Sequence, residues 1–314
     1  MAYQLSKAES SYTASGLLLS QRLDGRSLLD YRPITVEAGV APTANGSARA
    51  RIGDTEVVVA VKLDVKKMGE DGEGGRCVCS VECSPSAYPQ LDRDSLSDLS
   101  ADLSTLLSTY LTPIVSTPEL LIIPSQLYWQ ASVDALVLSS SGNVHDTLFA
   151  AVRAALWDLR VPRTRGVVYE VPGGGDDVAM GEDGGSSVEK AGVLDHMRGM
   201  KRGAVDFDLV DGADDGTPLE GRSDLPVCVT LNLLSPVFYL DATIPEELCA
   251  PTRLLLFIRP SGTLCGIHKL GEAELPPAEL KEALQEGVRL GKELGGAMNA
   301  RMGGMGGKRM GPFS

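Results

Sequence analysis

The sequence predicts an α+β chain with mixed sheets, built as two halves that each combine strands and helices. Three observations carry this. Apolar residues alternate in hairpin-linked groups of strands, which argues against a doubly wound parallel sheet. The period changes to three and four near residues 95–111, 144–159 and 277–296, marking helices. A glycine-rich stretch at 173–203 has no sustained period and separates the halves.

The elements follow in order. Ser6-Lys7-Ala8-Glu9 fits a capping box and Gly16 a helix stop, predicting a helix over 7–15. Residues Arg22–Arg32 read RLDGRSLLDYR, a polar loop turning at Asp24-Gly25. Strands follow at 34–39, 47–52 and 55–65, the last two joined by Gly53-Asp54 as a two-residue hairpin. A loop at 68–75 leads to a strand at 76–83. Leu96, Leu99, Leu103, Leu106, Leu107 and Tyr110 then line one helix face, with Pro113 as its end. Strands near 119–123 and 126–138 precede a helix over 144–159 whose face is Leu148, Val152, Ala155, Leu156 and Leu159. A small basic cluster, Arg160, Arg163 and Arg165, closes this half. The second half has strands at 226–234 and 237–241, then IPEEL, then a hairpin of TRLLLFIRP and GTLCGIHKL. A helix over 277–296 carries Leu280, Leu284, Val288 and Leu294 on one side. The domain reading is therefore 1–172, an acidic Gly-rich insertion at 173–203, 204–297, and a Gly/Met-rich disordered tail at 298–314.

Composition bounds the function. The chain has 314 residues, 43% hydrophobic and 23% charged, enough for a core and inconsistent with full disorder. No apolar run reaches the ~18 residues of a membrane span. MAYQLSKAES lacks a basic region followed by an apolar one, so no secretory signal is expected. The net charge of −13 makes stand-alone nucleic-acid binding unfavourable, since phosphate neutralisation supplies most non-specific affinity. RNA remains open as the substrate of a larger assembly.

The six cysteines read as reduced thiols. Cys77, Cys79 and Cys83 match no zinc spacing; they fall on one side of a strand, where Cys acts as a small hydrophobe. His145, His196 and His268 share no ligand spacing and read as surface or edge residues. No Gly-rich phosphate loop with its Lys is present, and neither a metal nor a cofactor is expected.

Three segments together resemble the ribonuclease PH family: R-x-D-G-R-x3-D-Y-R at Arg22–Arg32, N-G-S-A-R at Asn45–Arg49, and S-G-N-V-H-D at Ser141–Asp146. Within the family the arrangement is most similar to ring subunits of the eukaryotic RNA exosome. The resemblance covers residues 5–170 well and 204–295 more loosely. It implies two βα sub-domains of ribosomal-protein-S5-like topology about a pseudo-twofold. It further implies a six-membered ring with other ribonuclease PH-like subunits, S1/KH-domain cap proteins and a central RNA channel. The expected location is nucleus and nucleolus, also cytoplasm, with no membrane partner.

Phosphorolysis needs an anion site at a helix N-terminus with a fixed Arg, and a carboxyl group near the scissile bond. Active family members resemble Asp-Gly-Gly-Thr-Arg at the first; here the stretch is Ser140-Ser141-Gly142-Asn143-Val144. The Arg is replaced by Val and nothing nearby replaces it, while Gly142 still permits the tight turn. The Asp-x5-Asp element of active members has its counterpart in Asp241 and Glu247. The favoured reading makes these simple loop and helix-start carboxylates. The family's Arg-rich, RNA-gripping loop is here Ser84 to Asp94, where Arg93 stands between two Asp. Arg49 and Arg51 share a strand face, either lining the channel or seam or forming a solvated edge. Arg22, Asp24, Arg26 and Asp30 are expected to form a salt-bridge cluster that pins their loop, a direct RNA contact being the alternative.

The resemblance with a degraded phosphate site thus points to a non-catalytic structural ring subunit of the exosome. The alternative is a phosphate-dependent 3′→5′ exoribonuclease; a third reading has the chain shaping a neighbour's pocket. The VVVAV run is expected to be buried in an oligomer interface.

Overall fold

A computed structural model describes residues 5–68, 77–115, 118–123, 126–167, 206–210 and 216–305. The insertion at 173–203, most of the 68–75 loop, His196 and residues 306–314 of the tail lie outside the described residues.

Helix α1 (Lys7–Leu18) begins at its capping box: Glu9 N donates to Ser6 Oγ at 3.2 Å and Ser6 N to the Glu9 carboxylate at 2.9 Å. It continues past Gly16, which does not stop it. The chain folds back there instead, with Gln21 N donating to Gly16 O at 2.8 Å. The first sheet contains β1 (Ile34–Ala38), β2 (Gly46–Ile52), β3 (Thr55–Lys67) and β4 (Cys77–Cys83). After α2 (Arg93–Val115) come β5 (Leu121–Ile123) and β6 (Leu127–Ser139). The order is β1-β2-β3-β6-β4 with β5 beside β6; β4 alone runs parallel to its neighbour, so the sheet is mixed as expected. Gly53-Asp54 makes the β2–β3 hairpin, pairing Ile52 with Thr55.

Burial alternates cleanly along β3 and β4. Val57, Val59 and Val61 point inward, so three of the five residues of the VVVAV run lie in the chain's own core rather than at an interface. Cys77, Cys79 and Cys83 are buried the same way, under Leu103, Leu107 and Leu111 of α2. Pro113 does not end α2; it sits exposed in the last turn, where the helix continues only to Val115 and the one bond its missing N–H would make is lost on the solvent side.

Helix α3 (Val144–Asp158) is buried on every side from Val144 to Leu156, not on the single face the periodicity marked. It lies against β1, β2 and β3 on one flank and β11 (Val227–Leu234) on the other. Ala150, Ala151, Ala154 and Ala155 allow that double approach. Between α3 and β11 run the short strands β7 (Arg160–Val161), β8 (Thr164–Val167), β9 (Asp206–Leu209) and β10 (Thr217–Pro218), paired as β7–β10 and β8–β9.

The second sheet is β12-β11-β13-β14, with β12 (Val237–Leu240), β13 (Thr252–Ile258) and β14 (Leu264–Leu270), all antiparallel. Helix α4 (Ile244–Cys249) bridges β12 and β13 and contacts α1. Helix α5 (Pro277–Met305) closes the far side of β11 and β13. The strand β11 is covered on both faces, which is why its residues from Val227 to Leu233 are all buried, the polar Thr230 and Asn232 included. The closest approach of α5 uses Gly287 and Gly291 against Leu256 and Ile258, with the predicted leucines flanking. Residues 298–305 of the expected tail are helical, and Met298 and Met302 are buried. One hydrophobic core contains residues from both halves. Tyr110 of α2 stacks on Phe257 of β13 at 3.8 Å, and Phe257 meets Phe149 of α3 at 4.8 Å.

Candidate functional site

The turn into α3 is held from two sides. Gly142 (φ +100°) and Asn143 (φ +57°) are both left-handed. A Cβ on Gly142 would stand 2.3 Å from Ala242 O, so only glycine fits where the two halves touch. From the first sheet, Thr55 Oγ1 donates to Gly142 O at 2.6 Å and accepts from Ser141 N at 2.9 Å.

Asp241 is the hub on the opposite side, with φ +43° and a side chain that is 0% exposed. Arg32 grips it: Nη2 to Oδ1 at 2.7 Å, Nε to Oδ2 at 2.8 Å, and the Arg32 backbone N to Oδ2 at 2.7 Å. Arg26 Nη1 adds a bond to Oδ2 at 2.9 Å and Asn143 Nδ2 one to Oδ1 at 3.0 Å. Burial would raise the Asp241 pKa, but the Arg32 bonds and charge outweigh it and hold the carboxyl below its usual range. The Arg32 guanidinium also donates to Ser141 Oγ at 2.6 Å and to Gly142 O at 3.2 Å.

Glu247 reaches the same turn from α4. Asn143 N donates to its Oε1 at 2.7 Å, and Arg253 Nη1 of β13 stands 3.6 Å from that oxygen. Its side chain is 21% exposed. Burial pushes the Glu247 pKa up, against the opposing charge of Arg253. Glu246, its neighbour, turns away: it accepts from Thr243 N at 2.8 Å and from Arg22. Tyr88 lies beside Ser140 and burial pushes its hydroxyl up to about 12.

The first turn of α3 contains two further groups. Asp146 accepts from Thr230 Oγ1 at 2.7 Å, Tyr31 OH at 3.1 Å and Asn143 Nδ2 at 3.1 Å; burial raises it to about 6. His145 is buried, not a surface or edge residue, because α3 is enclosed all round. Its Nδ1 has no hydrogen-bond partner, and burial, then the charges of Arg253 and His268, lower it to about 3. It is neutral at pH 7.

The structure therefore brings the two predicted stretches together: Ser140–Val144 and the pair Asp241 and Glu247 form one site. Asp241 does lie in the loop after β12 and Glu247 in the first turn of α4, as read from the sequence, and both in addition accept from Asn143. The structure corrects the expectation that no guanidinium stands near Val144, because Arg32 and Arg253 flank the turn. Arg22 leaves the expected loop cluster for Glu246; Arg26 keeps Asp24 at 2.7 Å but also takes Asp241. Asp30 accepts from Ser27 N at 3.1 Å. The basic candidates are elsewhere. Arg49 pairs with Glu56 and Arg51 with Asp54, each at 2.7 Å, and Arg93 is an exposed first-turn residue of α2, not a loop residue.

Sequence reading missed Arg32, Asp146, Thr55 and Arg253 as site residues. Arg32 and Asp146 were visible as the ends of two of the quoted motifs. Thr55 and Arg253 carry no local signal; only the topology brings them in. Among the described residues no group of three His, Cys, Asp or Glu is arranged for a metal ion, and no helix is long and apolar enough to cross a membrane. Chemically the site has donors for an anion at a helix N-terminus, yet two carboxylates of the chain already accept from them.

Comparison with known proteins agrees with this architecture. Residues 30–162 match the model of the 3′ exoribonuclease family, domain 1, and residues 224–289 that of domain 2. A Dictyostelium discoideum protein named as an exosome complex exonuclease, RRP42, is 26% identical, covering 93% of this chain and 95% of that protein. The exosome complex component Rrp42 of Methanopyrus kandleri is 26% identical over 90% of this chain and 92% of its own length. Among solved structures, an archaeal exosome core superposes with a TM-score of 0.64 at 22% identity, over 93% of this chain and 96% of that one. With both domain models matched in order across more than half of the sequence, the chain belongs to the 3′ exoribonuclease family of ribonuclease PH fold.

Proposed function

We propose that this chain is a non-catalytic, structural subunit of an RNA exosome ring, supporting 3′→5′ RNA processing and turnover. In this reading it helps to form the RNA channel, pairs with other ribonuclease PH-like subunits and docks S1/KH-domain caps, in the nucleus, the nucleolus and the cytoplasm. The observation that carries it is the state of Asp241. A group that transfers a proton to a scissile phosphodiester must reach it. Asp241 is instead enclosed and bound by Arg26, Arg32 and Asn143. Ser140–Val144 are accordingly a degenerate phosphate site and Asp241 and Glu247 a degenerate carboxylate site. The outer face of the first sheet supports a role in assembly: Val78, Leu136 and Leu138 are exposed there on neighbouring strands β4 and β6. The ion pairs of Arg49 and Arg51 on that side favour a solvated sheet face over RNA binding by these two residues.

The test is to incubate the purified full-length chain with 3′-tailed RNA and orthophosphate and to follow nucleoside diphosphate release. No release is expected. Turnover that requires phosphate overturns the proposal in favour of an exoribonuclease. Mass spectrometry of the complex co-purified from cells is expected to return other ribonuclease PH-like subunits; recovery of the chain without them counts against ring assembly.

A further inference from the structure

We propose that Cys77 and Cys79 form a dithiol site for a trivalent, thiophilic centre of pyramidal geometry, arsenous acid being its small neutral representative. The pair lies at the start of β4 beneath α2, apart from the turn into α3.

The two sulfurs are 3.8 Å apart, because residues two positions apart on a strand share a face. Two bonds of about 2.3 Å, the length of a metal–thiolate bond, span that gap when bent to about 110°; in line they would need about 4.6 Å. The geometry therefore selects a bent centre over a linear one. The centre must also be satisfied by two protein ligands. Among the described residues no group of three His, Cys, Asp or Glu is placed for a metal ion, and Cys83 lies about 13 Å further along the strand. A four-coordinate divalent ion lacks its remaining ligands here, whereas a pyramidal centre needs only two sulfurs and its own hydroxyl. Charge selects the same class. Cys77 is 4% and Cys79 8% exposed, under Leu103, Leu107 and Leu111, where a net charge is costly. The pair is also prepared for attack. The Cys77 thiol donates to Cys79, and this bond lowers the Cys79 pKa, helped by Ser108 and opposed by burial; the same bond, with burial, raises Cys77. Cys79 is thus the first nucleophile. Entry is through the seam between α2 and β4, an edge strand held by β6 alone.

In the reaction two arsenic–oxygen bonds break and two arsenic–sulfur bonds form. Each thiol proton leaves with a hydroxyl as water, arsenic stays trivalent, and the product is neutral. The full-length chain, reduced with a phosphine, is incubated with arsenous acid and an excess of glutathione, and bound arsenic is measured after gel filtration. One arsenic per chain is expected, held at least about a hundredfold more tightly than in Cys77→Ala or Cys79→Ala, since the second bond is intramolecular. Cys83→Ala is expected to bind like the parent. Should the first two variants fail to fold, X-ray absorption of the loaded parent decides: two sulfurs and one oxygen around arsenic support the site, and any other sulfur count overturns it. No retention by the parent, or equal retention by folded Cys79→Ala, also overturns it.

Discussion

Arg22 and Glu246 face each other across 224 residues of sequence as a buried two-pronged ion pair, with Nε–Oε1 at 2.9 Å and Nη2–Oε2 at 2.6 Å. Their side chains are 0% and 2% exposed. The same guanidinium donates to Leu240 O at 2.9 Å and Asp241 O at 2.8 Å, so one residue of the N-terminal loop fixes the end of β12 and the start of α4. The carboxylates of the site are aimed by that contact.

Breaking this pair from one side leaves a buried charge alone. Arg22→Met is expected to destabilise the chain by about 3–5 kcal/mol. Adding Glu246→Leu is expected to recover at least about 1 kcal/mol, since the two side chains act on one another directly. Urea titrations of the two singles and the double close the cycle.

Asp241→Asn exchanges the charge that Arg26 and Arg32 both grip for a neutral amide. The expected loss is about 3–5 kcal/mol. It should also show as faster amide exchange at residues 141–143, because Arg32 loses the partner that holds it on that turn. Hydrogen exchange of the parent chain and the variant is the check.

Gly142→Ala places a methyl 2.3 Å from a backbone oxygen at a φ of +100°, with no flexible side chain to move aside. A loss above about 2 kcal/mol is expected, as for other Cβ additions at incompatible backbone positions. Gly25→Ala, at φ +78° with no atom near, is the control and should lose less; thermal melts rank the two.

His145 makes stability depend on acid. Its folded-state pKa is lowered by burial to about 3, so the unfolded chain takes the proton first. Stability from this group is complete above the unfolded value near 6.5 and is lost as pH falls from there toward 3. Between pH 7 and pH 5 the contribution lost is about 2 kcal/mol. His145→Leu removes it. The difference between the variant and the parent should therefore shift in favour of the variant by that amount at pH 5, read from denaturation midpoints. Asp146, raised by burial to about 6, has the opposite slope over roughly pH 4 to 6, but it is common to both chains and cancels.

Local features were legible in the sequence because the chemistry that makes them is local. The Ser6–Glu9 capping box, the Gly53-Asp54 hairpin and the period-two cysteine strand all stand where their residues predict. What failed depended on the second half being present. Gly16 and Pro113 read as stops, yet one is needed for a fold-back and the other lies in a final turn on the solvent side. His145, which matches no ligand spacing, read as a surface or edge residue because nothing local shows that a second sheet covers the other flank of its helix. The motifs located Ser140–Val144 and Asp241, but the pairing of Arg32 with Asp241, and of Glu247 with Asn143, joins residues a hundred or more positions apart. Only sheet order decides such contacts.

The enclosure of α3 by both sheets has a mechanical consequence. Neither half can shed this helix without exposing the other's interior, so heating should give a single calorimetric peak, and a cavity cut beneath one sheet, as in Val59→Ala, should lower the melting of strands in both. A ring built from such a part would transmit strain across the whole subunit instead of hinging between its lobes.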